Sequence, residues 1–379
     1  MHGPTTTDAR WGMVAAGAAL IGCCYGFARF AYGLFAPQLQ EEFALTSTLS
    51  GVVSAGSYLG YCVAIVLSLL LTERWGARAV AVGAGVVATV GTATVALAPS
   101  ATVLAVGVLV AGSSTGLASP PLAAAIARWV REEARDRAQT VANAGTGLGV
   151  VASGPVALLV TDDWRWAWAT FAVVSAAVTA WIARVVPPVD RGATRSRATV
   201  ERWTPGTGRL VLGAFLMGAS SMAVWTFGQD LVASGSTAGP LLPGIAWTVL
   251  GAAGIAGAFS GDLVGRYGLA TAWTCSLLLM AGATLLLSAL ADRVAFVLVA
   301  AALFGAAYIA LTGILLVWGT RLFTHNPSYG VTVAFLLIAA GQLAGAPATG
   351  ALADATSLTT SFVACAALGV VGACVRPRS

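Results

Sequence analysis

PPVDRGATRSRATVERWTPGTGR runs from Pro187 to Arg209. Arg191, Arg195, Arg197, Arg202 and Arg209 crowd into it, opposed only by Asp190 and Glu201. Pro187, Pro188 and Pro205, with glycine and serine around them, deny it a regular element. Neither a protein core nor a bilayer accommodates such a run, yet mostly apolar sequence flanks it on both sides. The pattern predicts a polar linker, 187–208, between two membrane-embedded halves, 1–186 and 209–379.

Composition points the same way. Charged residues are 9% of the 379-residue chain and hydrophobic residues 58%, whereas a soluble domain carries about 25% charged residues. So few charges cannot cover the surface of a soluble protein of this length. The formal net charge of +5 is spread over loops, which argues against nucleic acid as a partner. Cys23, Cys24, Cys62, Cys275, Cys365 and Cys374 lie in or beside apolar runs without metal-site spacing and read as small buried apolar residues. The sequence carries no nucleotide-binding loop and no catalytic-triad pattern. No cofactor and no metal are expected, and the chain is not expected to be an enzyme.

A membrane-crossing helix needs about 20 apolar residues. Six such runs precede the linker, near 11–35, 48–71, 79–98, 102–126, 138–160 and 164–186. Six follow it, near 210–231, 241–264, 269–290, 294–319, 328–352 and 358–375. We number them spans 1 to 12; the fold class expected is an all-α membrane protein of two six-helix halves. With both termini placed in the cytoplasm, every one of the 20 basic residues except Arg29, Arg165 and Arg293 falls on the cytoplasmic side, as the positive-inside bias requires.

The turns after spans 2 and 8 repeat. The first is Leu69-Leu70-Leu71-Thr72-Glu73-Arg74-Trp75-Gly76-Ala77-Arg78, the second Gly261-Asp262-Leu263-Val264-Gly265-Arg266-Tyr267-Gly268-Leu269-Ala270. Each glycine permits a tight reversal and each arginine can cap helix-end carbonyls. These turns, over a chain of two six-span halves, resemble the major facilitator superfamily, whose loop motif is G-x-L-x-D-R-x-G-x-[RK]. The first copy has Leu69 for the leading glycine and Glu73 for the aspartate; the second has Gly265 for the aspartate and Ala270 for the last basic residue. Gly26-Phe27-Ala28-Arg29-Phe30-Ala31-Tyr32 and Ser57-Tyr58-Leu59-Gly60-Tyr61 look like the YbfB/YjiJ-like branch of that superfamily. Gly145, Gly147, Gly149 and Gly154-Pro155 are similar to the exporter-associated glycine-proline motif of span 5. Ala111 to Ser114 stand where the family has a membrane arginine in span 4.

The resemblance implies a monomeric secondary transporter of a small organic solute, multi-pass in the cytoplasmic membrane and working by alternating access, with proton coupling open. It also implies that spans 1, 2, 4, 5, 7, 8, 10 and 11 line a central cavity while 3, 6, 9 and 12 face lipid. Polar residues inside the runs were located independently of it, because an unpartnered polar side chain is costly in a bilayer. Tyr25, Arg29, Tyr32, Tyr58, Tyr61, Ser114, Asn143, Trp225, Tyr308 and Gln342 form the candidate substrate set. For each single tyrosine the alternative is helix–helix glue. Glu73, Arg74, Arg78, Asp230, Asp262 and Arg266 form the candidate gating set.

Arg29 lies about six residues beyond the middle of its run, roughly 8–9 Å toward the outside. Three roles stay open for it: snorkelling to the outer surface, holding an anionic or carbonyl-bearing substrate, or pairing with Asp230 as an outer gate. The rival class is a membrane solute sensor or an integral enzyme. The charged group Arg128, Arg131, Glu132, Glu133, Arg135, Asp136 and Arg137 would be the place to look for the latter, but it reads as a solvated, self-paired loop helix.

Overall fold

The computed structural model describes residues 6–159, 163–188, 205–235, 239–257, 260–324 and 327–377. Most of the linker, both histidines and the ends of the chain lie outside them. Every one of the twelve expected runs is helical, and no strand occurs among the described residues. Span 1 is Trp11–Leu34, span 2 Ser47–Trp75, span 3 Ala77–Ala96, span 4 Ala101–Trp129, span 5 Glu132–Leu159 and span 6 Trp164–Val185. Span 7 is Thr207–Gly235, span 9 Leu269–Ala289, span 10 Val294–Leu322 and span 11 Tyr329–Ala355. Span 8 is a pair of helices, Leu242–Ala256 and Ser260–Tyr267, bent by 52°. Span 12, Leu358–Cys374, has 17 residues. A short helix, Ala36–Phe43, joins spans 1 and 2.

The two ends of the bundle are built differently. At one end helices begin on polar caps: Thr46, Ser100, Asp163 and Ser357 each accept a hydrogen bond from a backbone N–H in the following turn. Such caps satisfy donors that the helix leaves free. We call this the capped end. At the other, the arginine-rich end, the repeated turns rest on glycine. Gly76 has φ 82° and ψ 159°, Gly268 φ 79° and ψ 157°. A side chain there would be strained, so the two halves share one turn geometry because they share one glycine. The expected arginine caps are not formed. Glu73, Arg74, Asp262 and Arg266 are exposed; Arg266 lies over the Tyr267 ring instead. Of the arginines in these two turns, Arg78 reaches a carbonyl, that of Ala183 at the end of span 6.

The halves meet at the capped end. One apolar core joins residues of both halves there, including Phe35, Trp168, Trp225, Trp247 and Phe304. A second core, at the arginine-rich end, draws only on the first half, from Met13 through Ala84 and Ile126 to Val186. Valines and leucines of spans 3, 6, 9 and 12, such as Val86, Val173, Leu278 and Val371, are exposed, the surface a bilayer covers.

A latch closes the rim of the capped end. Asp354 of span 11 accepts hydrogen bonds from the backbone N–H of Ser47 (2.9 Å) and Thr48 (2.8 Å) and from the Thr48 hydroxyl (2.6 Å), all at the start of span 2. A carboxylate on a helix N-terminus contributes about 0.3–1 kcal/mol when exposed. Asp354→Asn is therefore expected to raise maleimide labelling of a cysteine at Ser54, one layer deeper between the halves, by about two- to fivefold. Unchanged labelling would remove Asp354 from the latch.

Candidate functional site

Span 1 changes its winding where its polar residues stand. Gly22–Phe30 is a π-helix, whose wider turn bonds residue i to i+5 and shifts the phase of everything beyond it. Glycine permits the close packing of this segment: a Cβ on Gly26 would lie 2.2 Å from the Gly149 carbonyl carbon of span 5.

Arg29 sits in this segment and is 6% exposed. Its Nη2 donates to Gln342 Oε1 of span 11 at 2.6 Å, and Gln342 Nε2 donates to the Tyr308 hydroxyl of span 10 at 3.1 Å. The guanidinium carbon lies 4.6 Å from the Tyr61 ring centre, 4.7 Å from Tyr58, 5.3 Å from Phe30 and 5.7 Å from Tyr25. Ring faces attract a cation, more strongly where water is absent. Phe30 stacks on Trp225 with ring centres 4.1 Å apart, and Trp225 meets Tyr308 edge-on at 5.1 Å. The Tyr25 hydroxyl hydrogen-bonds Ser119 at 3.1 Å. Among the described residues, no carboxylate forms an ion pair with Arg29. Two buried donors in this cluster, Arg29 Nε and Trp225 Nε1, have no hydrogen-bond partner.

Of the candidate substrate residues, Tyr25, Arg29, Tyr58, Tyr61, Trp225, Tyr308 and Gln342 thus come together. The others do not. Tyr32 turns toward the capped end, where its hydroxyl bonds Ser50 Oγ at 2.9 Å. Ser114 bonds the Ala111 carbonyl of its own helix, and Asn143 is exposed, bonded by Gln139. Arg29 does not snorkel. Side chains lean toward the N-terminus of their helix, which carries the guanidinium back to the level of Tyr61, Tyr308 and Gln342, near the middles of their spans.

Nor does Arg29 meet Asp230. Asp230 Oδ2 accepts from Gln40 Nε2 of the short helix at 2.7 Å, and the same nitrogen lies 3.2 Å from Ser50 Oγ. Ser54 and Thr226 bond at 3.0 Å one layer below. Hydrogen bonds between the halves therefore descend from Asp354 through Asp230 and Ser54 to Arg29. Gln40, Ser50, Ser54, Thr226, Phe30 and Asp354 were not legible as site residues. Gln40 lies outside the apolar runs, and hydroxyl or phenyl groups inside them carry no signal of their own.

A model of the Major Facilitator Superfamily matches residues 18–339. The chain is 30% identical over 235 residues to "Monocarboxylate transporter 11" of Mus musculus, covering 60% of this chain and 50% of that protein. It is 27% identical over 138 residues to "Hexuronate transporter" of Bacillus subtilis, covering 36% and 33%. The match thus spans half or less of the length of these relatives. Among solved structures, a bacterial homolog of the human lysosomal transporter Spinster superposes with a TM-score of 0.77 at 13% identity, covering 99% of this chain and 97% of that one. The nucleoside transporter NupG gives 0.76 at 13%, covering 96% and 98%. These likenesses establish the fold, and with the family model across most of its length the chain belongs to the Major Facilitator Superfamily.

Proposed function

We propose that this protein is a secondary transporter that carries a small monoanionic organic solute across the cytoplasmic membrane by alternating access. The observation that carries this reading is the Arg29 guanidinium, buried between the halves without a counter-carboxylate. A cation at mid-membrane costs about 2.5–3.5 kcal/mol on insertion scales. Ring faces and a neutral amide offset part of that; an anion offsets more. Arg29 is the single cation among the described buried residues, so one negative charge balances it and two would leave an excess. The printed names of two relatives, a monocarboxylate and a hexuronate transporter, agree with an acid as cargo.

The geometry suggests how binding moves the halves. Arg29 of the first half is tied to Gln342 of the second. A carboxylate accepts from guanidinium more strongly than an amide does, so the anion displaces Gln342 and loosens that tie. Arg29 Nε and Trp225 Nε1 are donors ready for it. Residues 1–186 and 209–379 act as the two rocking bodies, 187–208 as a slack tether. Both termini are cytoplasmic, so the closed, capped end faces outward. The protein works as a monomer, without nucleic acid and without catalysis.

The test is a thermal-shift screen of purified protein against organic monoanions, dianions, cations and neutral solutes. A ligand at 100 times its Kd stabilises by about 2.7 kcal/mol. Monoanions are expected to stabilise and to be taken up by proteoliposomes. Stabilisation confined to cations or neutral solutes, or stabilising anions that are never moved, would overturn the reading.

A further inference from the structure

We propose that the gap beside Trp225, where spans 5, 8 and 10 meet, receives the apolar part of the transported anion, and that Gly254 and Ile309 set how large that part can be. The cargo is then an acid with a hydrocarbon body and not a polyhydroxylated acid. This rests on the monoanion reading of Arg29.

Trp225 joins the gap to the Arg29 site. Its ring stacks on Phe30, which lies against the guanidinium, and the same residue lines the gap. Trp225 Nε1 is one of the two buried donors left without a partner in the Arg29 cluster. An anion that accepts from it is held against the Trp225 side chain, and the rest of the molecule has the gap beside it.

Glycine makes the gap. A Cβ on Gly305 of span 10 would stand 2.0 Å from the Leu250 carbonyl oxygen of span 8, and one on Gly251 of span 8 would stand 2.7 Å from the Val151 nitrogen of span 5. Helices that touch through their backbones have few side chains with which to fill the space at their crossing. Span 5 belongs to the first half and spans 7, 8 and 10 to the second, so the gap lies on the seam between the halves, as the bond from Arg29 to Gln342 does. Leu250 also lines a second void, together with Ala246, Leu287 and Ala301, and its side chain has that space to move into when a larger occupant enters.

The lining decides the chemistry. Besides glycine, the gap is walled by Val150, Leu250 and Ile309, and its polar side chains are Thr146 and Trp225. Burying a methylene in such a place favours binding about fourfold. A hydroxyl taken into it without a hydrogen-bond partner disfavours binding about five- to 150-fold. A sugar acid carries a hydroxyl on almost every carbon, more than the Thr146 hydroxyl can serve.

The experiment measures the thermal shift of the full-length protein against butyrate, hexanoate and glucuronate, all monoanions, and takes each Kd from the dose dependence. Butyrate and hexanoate are expected to bind at least about fivefold more tightly than glucuronate. Two variants then change the size of the gap. Ile309→Ala widens it and is expected to raise the preference for hexanoate over butyrate about four- to fifteenfold. A Cβ on Gly254 would lie 3.2 Å from Ile309 Cγ1, a side-chain atom that can yield; Gly254→Ala therefore narrows the gap and is expected to lower the same preference about fourfold. General destabilisation would not move that ratio in opposite directions. Competition for uptake into proteoliposomes is expected to rank the acids in the same order. Glucuronate binding as tightly as hexanoate, or a wild-type ratio in folded Ile309→Ala, would overturn the proposal and leave the monoanion reading standing. Should Ile309→Ala not fold, Ile309→Val carries the same test with a smaller shift. Failure of every organic monoanion to stabilise wild type would overturn the monoanion reading and this proposal with it.

Discussion

Arg29→Ala is expected to reduce uptake of organic monoanions severely, and Arg29→Lys nearly as much. A hydrogen bond to a charged group contributes about 1.5–3 kcal/mol, which corresponds to about a ten- to hundredfold loss of apparent affinity. Lysine keeps the charge, but a compact ammonium replaces the planar fork. Its single nitrogen cannot place donors at both positions that the guanidinium fills, Nη2 on Gln342 Oε1 and the unpartnered Nε. The measurement is KM for monoanion uptake, together with the thermal shift those anions produce. Unliganded stability is the control, because the aromatic rings around Arg29 bury their area whichever cation stands there. Wild-type uptake by Arg29→Ala would end the anion reading. Unchanged uptake by Arg29→Lys alone would mean that charge suffices and the fork does not matter.

Gly33→Ala is expected to open the capped end. A Cβ on Gly33 would stand 1.8 Å from the Trp225 carbonyl oxygen and 3.0 Å from its carbon. Both are backbone atoms of span 7, so no side chain can swing aside. Overpacking of this kind costs about 1–3 kcal/mol. Here the clash lies between the halves, so separating them relieves it. An equilibrium between closed and open capped ends should move by about five- to hundredfold toward open. Labelling of Ser54→Cys reads this directly. Gly83→Ala is the control, since no atom lies within 4 Å of its added Cβ. Should Gly33→Ala remain folded and label like wild type, the capped end is not the moving gate.

Class and segmentation were legible in the residues because a bilayer imposes its terms locally. A span must be apolar over its own length and must satisfy its own backbone, so twelve helical runs could be located without knowing their neighbours. The same holds for the turns at Gly76 and Gly268, where one backbone conformation demands one residue. The cost of a polar side chain in lipid also singled out Arg29, Tyr58, Tyr61, Tyr308 and Gln342 from their positions alone.

Which of those side chains meet was a matter for the tertiary structure. On a regular helix Tyr25, Arg29 and Tyr32 share a face. The π-helical turn across Gly22–Phe30 breaks that phase, sends Tyr32 to Ser50 and brings Phe30 beneath the guanidinium. The turn depends on close approach between spans 1 and 5, which no local pattern in span 1 announces. Asp230 likewise could have faced Arg29 by position along its span, but Gln40, on a short helix outside the apolar runs, takes its carboxylate. The sequence by itself determined which groups are expensive to bury, since that depends on the side chain and the solvent around its helix. Only the packing of the halves decided which partner each group finds, because a hydrogen bond depends on distances between segments far apart in the chain.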